Sequence, residues 1–128
     1  MDLCPDRRNG NVFSALCPSR EVLEQLSEKW ALLILHLLAE GPRRTSDLRR
    51  EIGGVSEKML IQTLRKLERN GFVERRSYNE VPPRVDYRLT ALGESLAPVV
   101  QAFDRWIAER IVDVVTAQRA FDARQAGK

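Results

Sequence analysis

The sequence has little of what most catalytic or metal-binding chemistry requires. Of its 128 residues two are cysteine and one is histidine. The cysteines, Cys4 and Cys17, belong to no CxxC pair, which argues against a structural zinc site or a disulfide framework. His36 stands inside an apolar run and reads as a core histidine. There is no phosphate-binding glycine loop, nucleophile elbow or cluster of metal ligands, so no cofactor, no metal and no enzymatic activity are expected. Long apolar runs are missing too. The longest, Trp30 to Leu35, stops at His36 and resumes only to Ala39, far short of the roughly twenty residues that span a membrane. Met1 to Arg8 contains no apolar signal core, so the chain is expected in the cytoplasm with no membrane partner. Its length suits one domain with a real core and is too short for two.

Charge of either sign is nearly balanced overall, at +3, and that total is too small to diagnose a nucleic-acid partner. Its distribution is more informative. Between Arg43 and Arg88 stand twelve basic and seven acidic residues, a local +5, while the remainder carries nine and eleven, or −2.

The first eighteen residues, with Asn9-Gly10-Asn11 and two prolines, read as an irregular arm. After Pro18, Ser19 is placed to cap a first helix containing Val22, Leu23 and Leu26. Lys29 to Ala39 is apolar nearly all round, as in a helix buried on most sides, and Gly41-Pro42 ends it. Thr45 or Ser46 caps a short amphipathic turn through Leu48 and Ile52 that Gly53-Gly54 breaks. Ser56 then caps a longer helix to about Asn70, with Gly71 closing it. Two strand-like runs follow, Phe72 to Tyr78 and Arg84 to Leu89, around a loop holding Pro82 and Pro83, which reads as a hairpin. Thr90 opens a last helical stretch, kinked or split by Pro98. The predicted fold class is mainly α (α+β): a winged helix-turn-helix with a two-stranded β wing and extra N- and C-terminal helices. The arm covers 1–18 and the domain 19–125, with the helix-turn-helix at about 46–70, the wing at about 72–89 and the C-terminal helix at about 90–122.

The helix from Ser56 divides by face. At 100° per residue from Ser56, Leu60, Leu64 and Leu67 fall at roughly 40°, 80° and 20°, and Lys58, Gln62, Arg65 and Arg69 at roughly 200°, 240°, 180° and 220°. A leucine face thus opposes a basic, amide-bearing one. Arg and Lys can bond guanine O6 and N7, Gln can bond adenine N6 and N7, and a helix fits the major groove. Ser56, Lys58, Met59, Gln62 and Thr63, near the helix start, are the expected base readers, with Arg65, Lys66 and Arg69 as phosphate contacts. Arg43 and Arg44 ahead of the short helix, and Arg76 and Arg84 in the hairpin beside Arg75 and Arg88, are further phosphate candidates. A solvated helix face, and edge-strand charge that discourages aggregation, are the alternatives.

The sequence resembles the HxlR-type winged helix-turn-helix transcription regulators of bacteria. The resemblance runs from about Cys17 to Trp106. It is carried by Cys17-Pro18, Lys29-Trp30, Gly41-Pro42-Arg43-Arg44, Leu48-Arg49, Gly54-Val55-Ser56-Glu57-Lys58-Met59-Leu60, Leu64-Arg65-Lys66-Leu67-Glu68, Gly71-Phe72-Val73-Glu74-Arg75, Val81-Pro82-Pro83-Arg84-Val85-Asp86-Tyr87 and Leu89-Thr90-Ala91-Leu92-Gly93. One departure is Ile61, where the family often has Thr. The resemblance implies a homodimer that binds double-stranded operator DNA through the recognition helix and wing, with Leu23 and Leu26 of the first helix in the dimer interface beside the last helix. The apolar stripe Val99, Phe103, Trp106, Ile107, Ile111 and Val114 supports the same role for the last helix, since surplus apolar surface calls for a partner. Packing within the chain is the alternative. Some members of the family sense electrophiles or oxidants through a cysteine at the position of Cys17, where the helix dipole and Arg20 favour a thiolate and Glu21 works the other way. An effector small molecule or oxidant is therefore an expected partner, while a small buried hydrophobe is the plainer role. The expected function is a sequence-specific repressor. A winged-helix protein-interaction module without DNA binding is the rival.

Overall fold

The computed structural model describes residues 10–127. Its elements follow in the order α1 (Pro18–Leu26), α2 (Lys29–Glu40), α3 (Thr45–Glu51), α4 (Glu57–Arg69), β1 (Val73–Tyr78), β2 (Arg84–Leu89) and α5 (Ala91–Ala126). They form two compact units, divided between Ala97 and Pro98.

In the first unit, helix boundaries are set by local chemistry. Helix α1 begins early: Cys17, in extended conformation, is the N-cap, two residues before Ser19, and Pro18 is the first helical residue. Proline fits there because its missing N–H would be an unsatisfied donor anyway. Helix α3 also starts early, with Arg44 rather than Thr45 or Ser46 as its cap; the Arg44 backbone N–H donates to Asp47 Oδ2 at 3.1 Å. Helix α4 starts where its sequence predicts, and Ser56 Oγ accepts from the Met59 N–H at 3.1 Å. It ends in a Schellman motif. The Phe72 N–H reaches the Leu67 carbonyl and the Gly71 N–H that of Glu68, with Gly71 at a φ of 84° that favours glycine.

The core is aliphatic. Ala31, Ile34, Leu35 and Leu38 of α2 are buried together with Leu48 of α3, Leu60, Leu64 and Leu67 of α4, and Val73, Tyr87 and Leu89 of the hairpin. The spacing of three and four in both long helices places these residues on one stripe. Strands β1 and β2 pair antiparallel in the register Val73↔Leu89 to Tyr78↔Arg84, and the prolines lie in the connecting loop as expected. Arg43 adds an isolated bridge to Tyr87 on the far side of β2, which the sequence did not announce. His36 departs from its core assignment: it is part-exposed, with Nε2 3.9 Å from Glu40.

Helix α5 opens at Thr90, whose Oγ1 accepts from the Gly93 N–H at 3.1 Å. Pro98 lies inside this helix without splitting it. In the second unit Val99, Phe103, Trp106, Ile107, Ile111 and Val114 are all between 38% and 63% exposed. Among the described residues, packing within this unit does not cover the apolar stripe.

Candidate nucleic-acid interface

Helix α3, the turn at Gly53-Gly54 and helix α4 form a helix-turn-helix. Gly54 has a φ of 86° that favours glycine, and Val55 after it is buried, which anchors the turn to the core. Burial of Leu60, Leu64 and Leu67 on the opposite face turns Lys58, Gln62, Arg65, Lys66 and Arg69 outward, and all five are exposed. Among the described residues Lys58, Arg65 and Arg69 have no carboxylate within ion-pair distance, whereas Lys66 Nζ stands 4.0 Å from Glu28. Three cations on one helix face without partners form an electrostatically unsatisfied strip, suited to an anionic partner. Ser56 is exposed with its oxygen engaged in the cap, and Met59 is half-buried.

Two expected contacts are corrected. Thr63 is 3% exposed, and its hydroxyl donates to the Met59 carbonyl at 2.8 Å; seven residues from Ser56, it falls on the leucine face. Arg43 is turned into the protein, its side chain 19% exposed. Its Nε donates to Glu51 at 2.9 Å and its Nη1 to the Gly41 carbonyl at 2.9 Å, while Nη2 lies 3.4 Å from Glu40. Its hydrogen-bonding capacity is spent on bracing the loop into α3. Arg44 next to it is exposed.

On the wing, Arg76 is exposed with Nε 3.3 Å from Glu74. The Arg84 guanidinium lies over the ring of Tyr78, 4.0 Å from its centroid. Arg88 donates to the Tyr78 hydroxyl at 2.8 Å and stands 3.4 Å from Asp86.

This is the arrangement of a winged helix-turn-helix. An HxlR-like helix-turn-helix model matches residues 25–114, which takes in every element from α2 to the wing. The chain belongs to the HxlR-like helix-turn-helix family. It is 48% identical over 118 residues to the HTH-type transcriptional regulator YtfH of Escherichia coli (strain K12), covering 92% of this chain and 94% of that one. The ytfH regulator from Salmonella typhimurium has a solved structure that matches with a TM-score of 0.81 and 49% identity, over 86% of this chain and 98% of that one. The redox regulator HypR in its oxidized form matches with a TM-score of 0.68 and 33% identity, over 73% of this chain and 96% of that one. Like these HxlR-like relatives, the protein is a helix-turn-helix transcriptional regulator and not an enzyme. Among the described residues no helix is long and apolar enough to cross a membrane.

One residue is bonded in a way its spacing does not announce. Cys17 is 3% exposed and disulfide-bonded, contrary to the expectation drawn from the missing CxxC pair. A disulfide needs two close and suitably directed Cβ atoms, not a motif spacing. The chain has one other cysteine, Cys4, which lies with the start of the expected arm outside the described residues.

Proposed function

We propose that this HxlR-like chain acts as a homodimeric repressor on an inverted-repeat operator, reading bases from the start of α4 and gripping phosphates beside it. The observation that carries this is the exposed, unpaired strip Lys58, Arg65 and Arg69 with Gln62, fixed by buried leucines on the reverse of the same helix. Lys58 and Gln62 stand nearest the helix start with Ser56 and Met59, where recognition helices meet base edges. Arg65, Lys66, Arg69, Arg44, Arg76 and Arg84 supply phosphate contacts. Thr63 and Arg43 are left out, the one buried and the other engaged within the protein.

The exposed stripe from Val99 to Val114 supports the dimer, because helices with this much uncovered apolar surface associate. Exposed Leu23 and half-buried Leu26 on α1 are the further interface residues. A two-fold dimer matches half-sites about 34 Å apart on one face of the duplex. Repression by occupancy needs no surface beyond these.

A redox response through Cys17 is supported by its disulfide at the start of α1 and by the likeness to the redox regulator HypR. Selecting bound sites from random duplex DNA, with reductant and with diamide, tests both parts. An enriched inverted repeat with half-sites one helical turn apart is expected, bound with different affinity in the two conditions, and with that difference lost in Cys17→Ser. Failure to enrich any sequence would favour the protein-interaction module. Enrichment unaffected by diamide would remove the redox part alone.

A further inference from the structure

The wing carries a relay of side chains that begins in the protein and ends at Arg84, a cation whose nearest carboxylate, Glu80, stands 4.0 Å away. Tyr78 and Arg84 are cross-strand partners in the register of the hairpin. Arg84 Cζ lies over the Tyr78 ring, 4.0 Å from its centroid. The Tyr78 hydroxyl accepts from Arg88 Nη2 at 2.8 Å. Arg88 Nη2 in turn stands 3.4 Å from Oδ1 of Asp86, a buried carboxylate.

A guanidinium stacked on an aromatic face keeps its N–H donors in plane at the rim, free to bond an anion. Arg84 has that geometry. Its Nε is buried without a hydrogen-bond partner among the described residues, so the inner edge is turned toward the protein. At Nη2, Glu80 Oε1 is 4.0 Å away, beyond hydrogen-bonding distance. The Nη groups therefore retain donors to give. An unsupported arginine pays rotamer entropy when a ligand immobilises it; one already laid on a ring pays less.

We propose that Tyr78 is a positioning residue for DNA binding: its ring holds the Arg84 guanidinium ready to meet a backbone phosphate. The proposal rests on the DNA-binding reading given above and assigns the wing's contribution to one aromatic residue that need not itself touch DNA.

The test is a double-mutant cycle on the full-length protein, using fluorescence anisotropy with a selected duplex over a salt series and with thermal unfolding of each variant as a folding check. Tyr78→Leu, which keeps apolar bulk but has no π face, is expected to weaken binding about fivefold. Tyr78→Phe, which keeps the ring, is expected to stay within about twofold of wild type. Arg84→Ala is expected to lower the salt slope by about 0.9, one phosphate. Adding Tyr78→Leu to Arg84→Ala should then cost nothing more, because the two act through one contact. A merely structural Tyr78 would give the same loss in both backgrounds. That additivity, or an equal loss in Tyr78→Phe and Tyr78→Leu, overturns the proposal. A silent Arg84→Ala overturns it too, and Arg65→Ala in the same assay shows whether DNA binding through α4 survives that failure.

Discussion

Arg43 and Tyr87 exchange both of their backbone hydrogen bonds, the Arg43 N–H donating to the Tyr87 carbonyl at 3.0 Å and the Tyr87 N–H to the Arg43 carbonyl at 2.8 Å. This bridge lies on the edge of β2 that β1 leaves open. It satisfies strand groups that would otherwise face solvent or a neighbour. It also ties the loop entering α3 to the wing, so the helix-turn-helix and the hairpin share a backbone connection as well as a core.

The side chain of Arg43 reinforces that tie, and adjacent arginines are therefore expected to behave differently. Arg43→Ala should lower the unfolding free energy by about 1–2 kcal/mol, through lost hydrogen bonds to Glu51 and the Gly41 carbonyl, and leave the salt slope of DNA binding unchanged. Arg44→Ala, at an exposed position, should leave stability unchanged and lower the slope by about 0.9. Denaturant unfolding and anisotropy titrations on the same pair of variants check this; interchanged results would return Arg43 to the interface.

Gly93 marks where α5 starts beneath the wing. A Cβ there would overlap the Phe72 carbonyl oxygen and stand 3.2 Å from Leu89 Cδ2, and the Phe72 carbonyl also accepts from the Thr90 N–H. Backbone cannot yield as a flexible side chain can. Gly93→Ala is expected to destabilise by about 1–3 kcal/mol, despite alanine's higher helix propensity. A melting temperature equal to wild type would show that the approach is looser than described.

Much of this was legible in the sequence because each cue had a local cause. Ser56, Gly71 and the leucine spacing of α4 fixed the recognition helix to within a residue, since caps and periodicity are short-range. The starts of α1 and α3 were misplaced where a conventional cap residue stood nearby: Pro18 was better suited to the first helical position than to preceding Ser19, and Asp47 reaches back to Arg44. Nearness to the helix start puts Thr63 among the expected base readers, although the same 100° arithmetic sets it with the leucines. The bridge from Arg43 to Tyr87 joins residues more than forty apart, the inward turn of the Arg43 side chain needs Glu51 and the Gly41 carbonyl brought together by the loop into α3, and the Cys17 disulfide likewise has no local signature.

Asp47 gives the stability of α3 a pH signature. The Arg44 backbone N–H, followed by the Arg50 guanidinium, holds its carboxyl below the usual value of 3.8. The folded state thus favours the ionised form, so the contribution is full above the unfolded value near 3.8 and is lost as pH falls through the lower folded value. The stability of wild type relative to Asp47→Asn, measured by denaturant unfolding, should be greatest near neutral pH and shrink at pH well below 3.8. A difference that stays constant across that range would remove the ionised carboxylate from the account.

The apolar stripe of α5 makes its own prediction. Phe103 and Trp106 are 51% and 57% exposed, so a charge at either costs little within the chain and much in an interface. Phe103→Glu is expected to sediment as a monomer, unfold without loss of helix content before the transition, and bind a duplex with two half-sites about a hundredfold more weakly. Sedimentation velocity at micromolar concentration decides it; a dimer in the variant would exclude this stripe from the interface.

The most direct test of the α4 interface is the salt dependence of binding to a selected duplex, compared between wild type and Arg65→Ala. The logarithm of the binding constant should fall linearly with the logarithm of salt concentration, and Arg65→Ala should weaken binding and make the slope shallower by about 0.9 per protomer. Binding that is absent for every duplex, or present with a salt slope that Arg65→Ala leaves unchanged, would contradict the assignment of α4 as the DNA-reading helix.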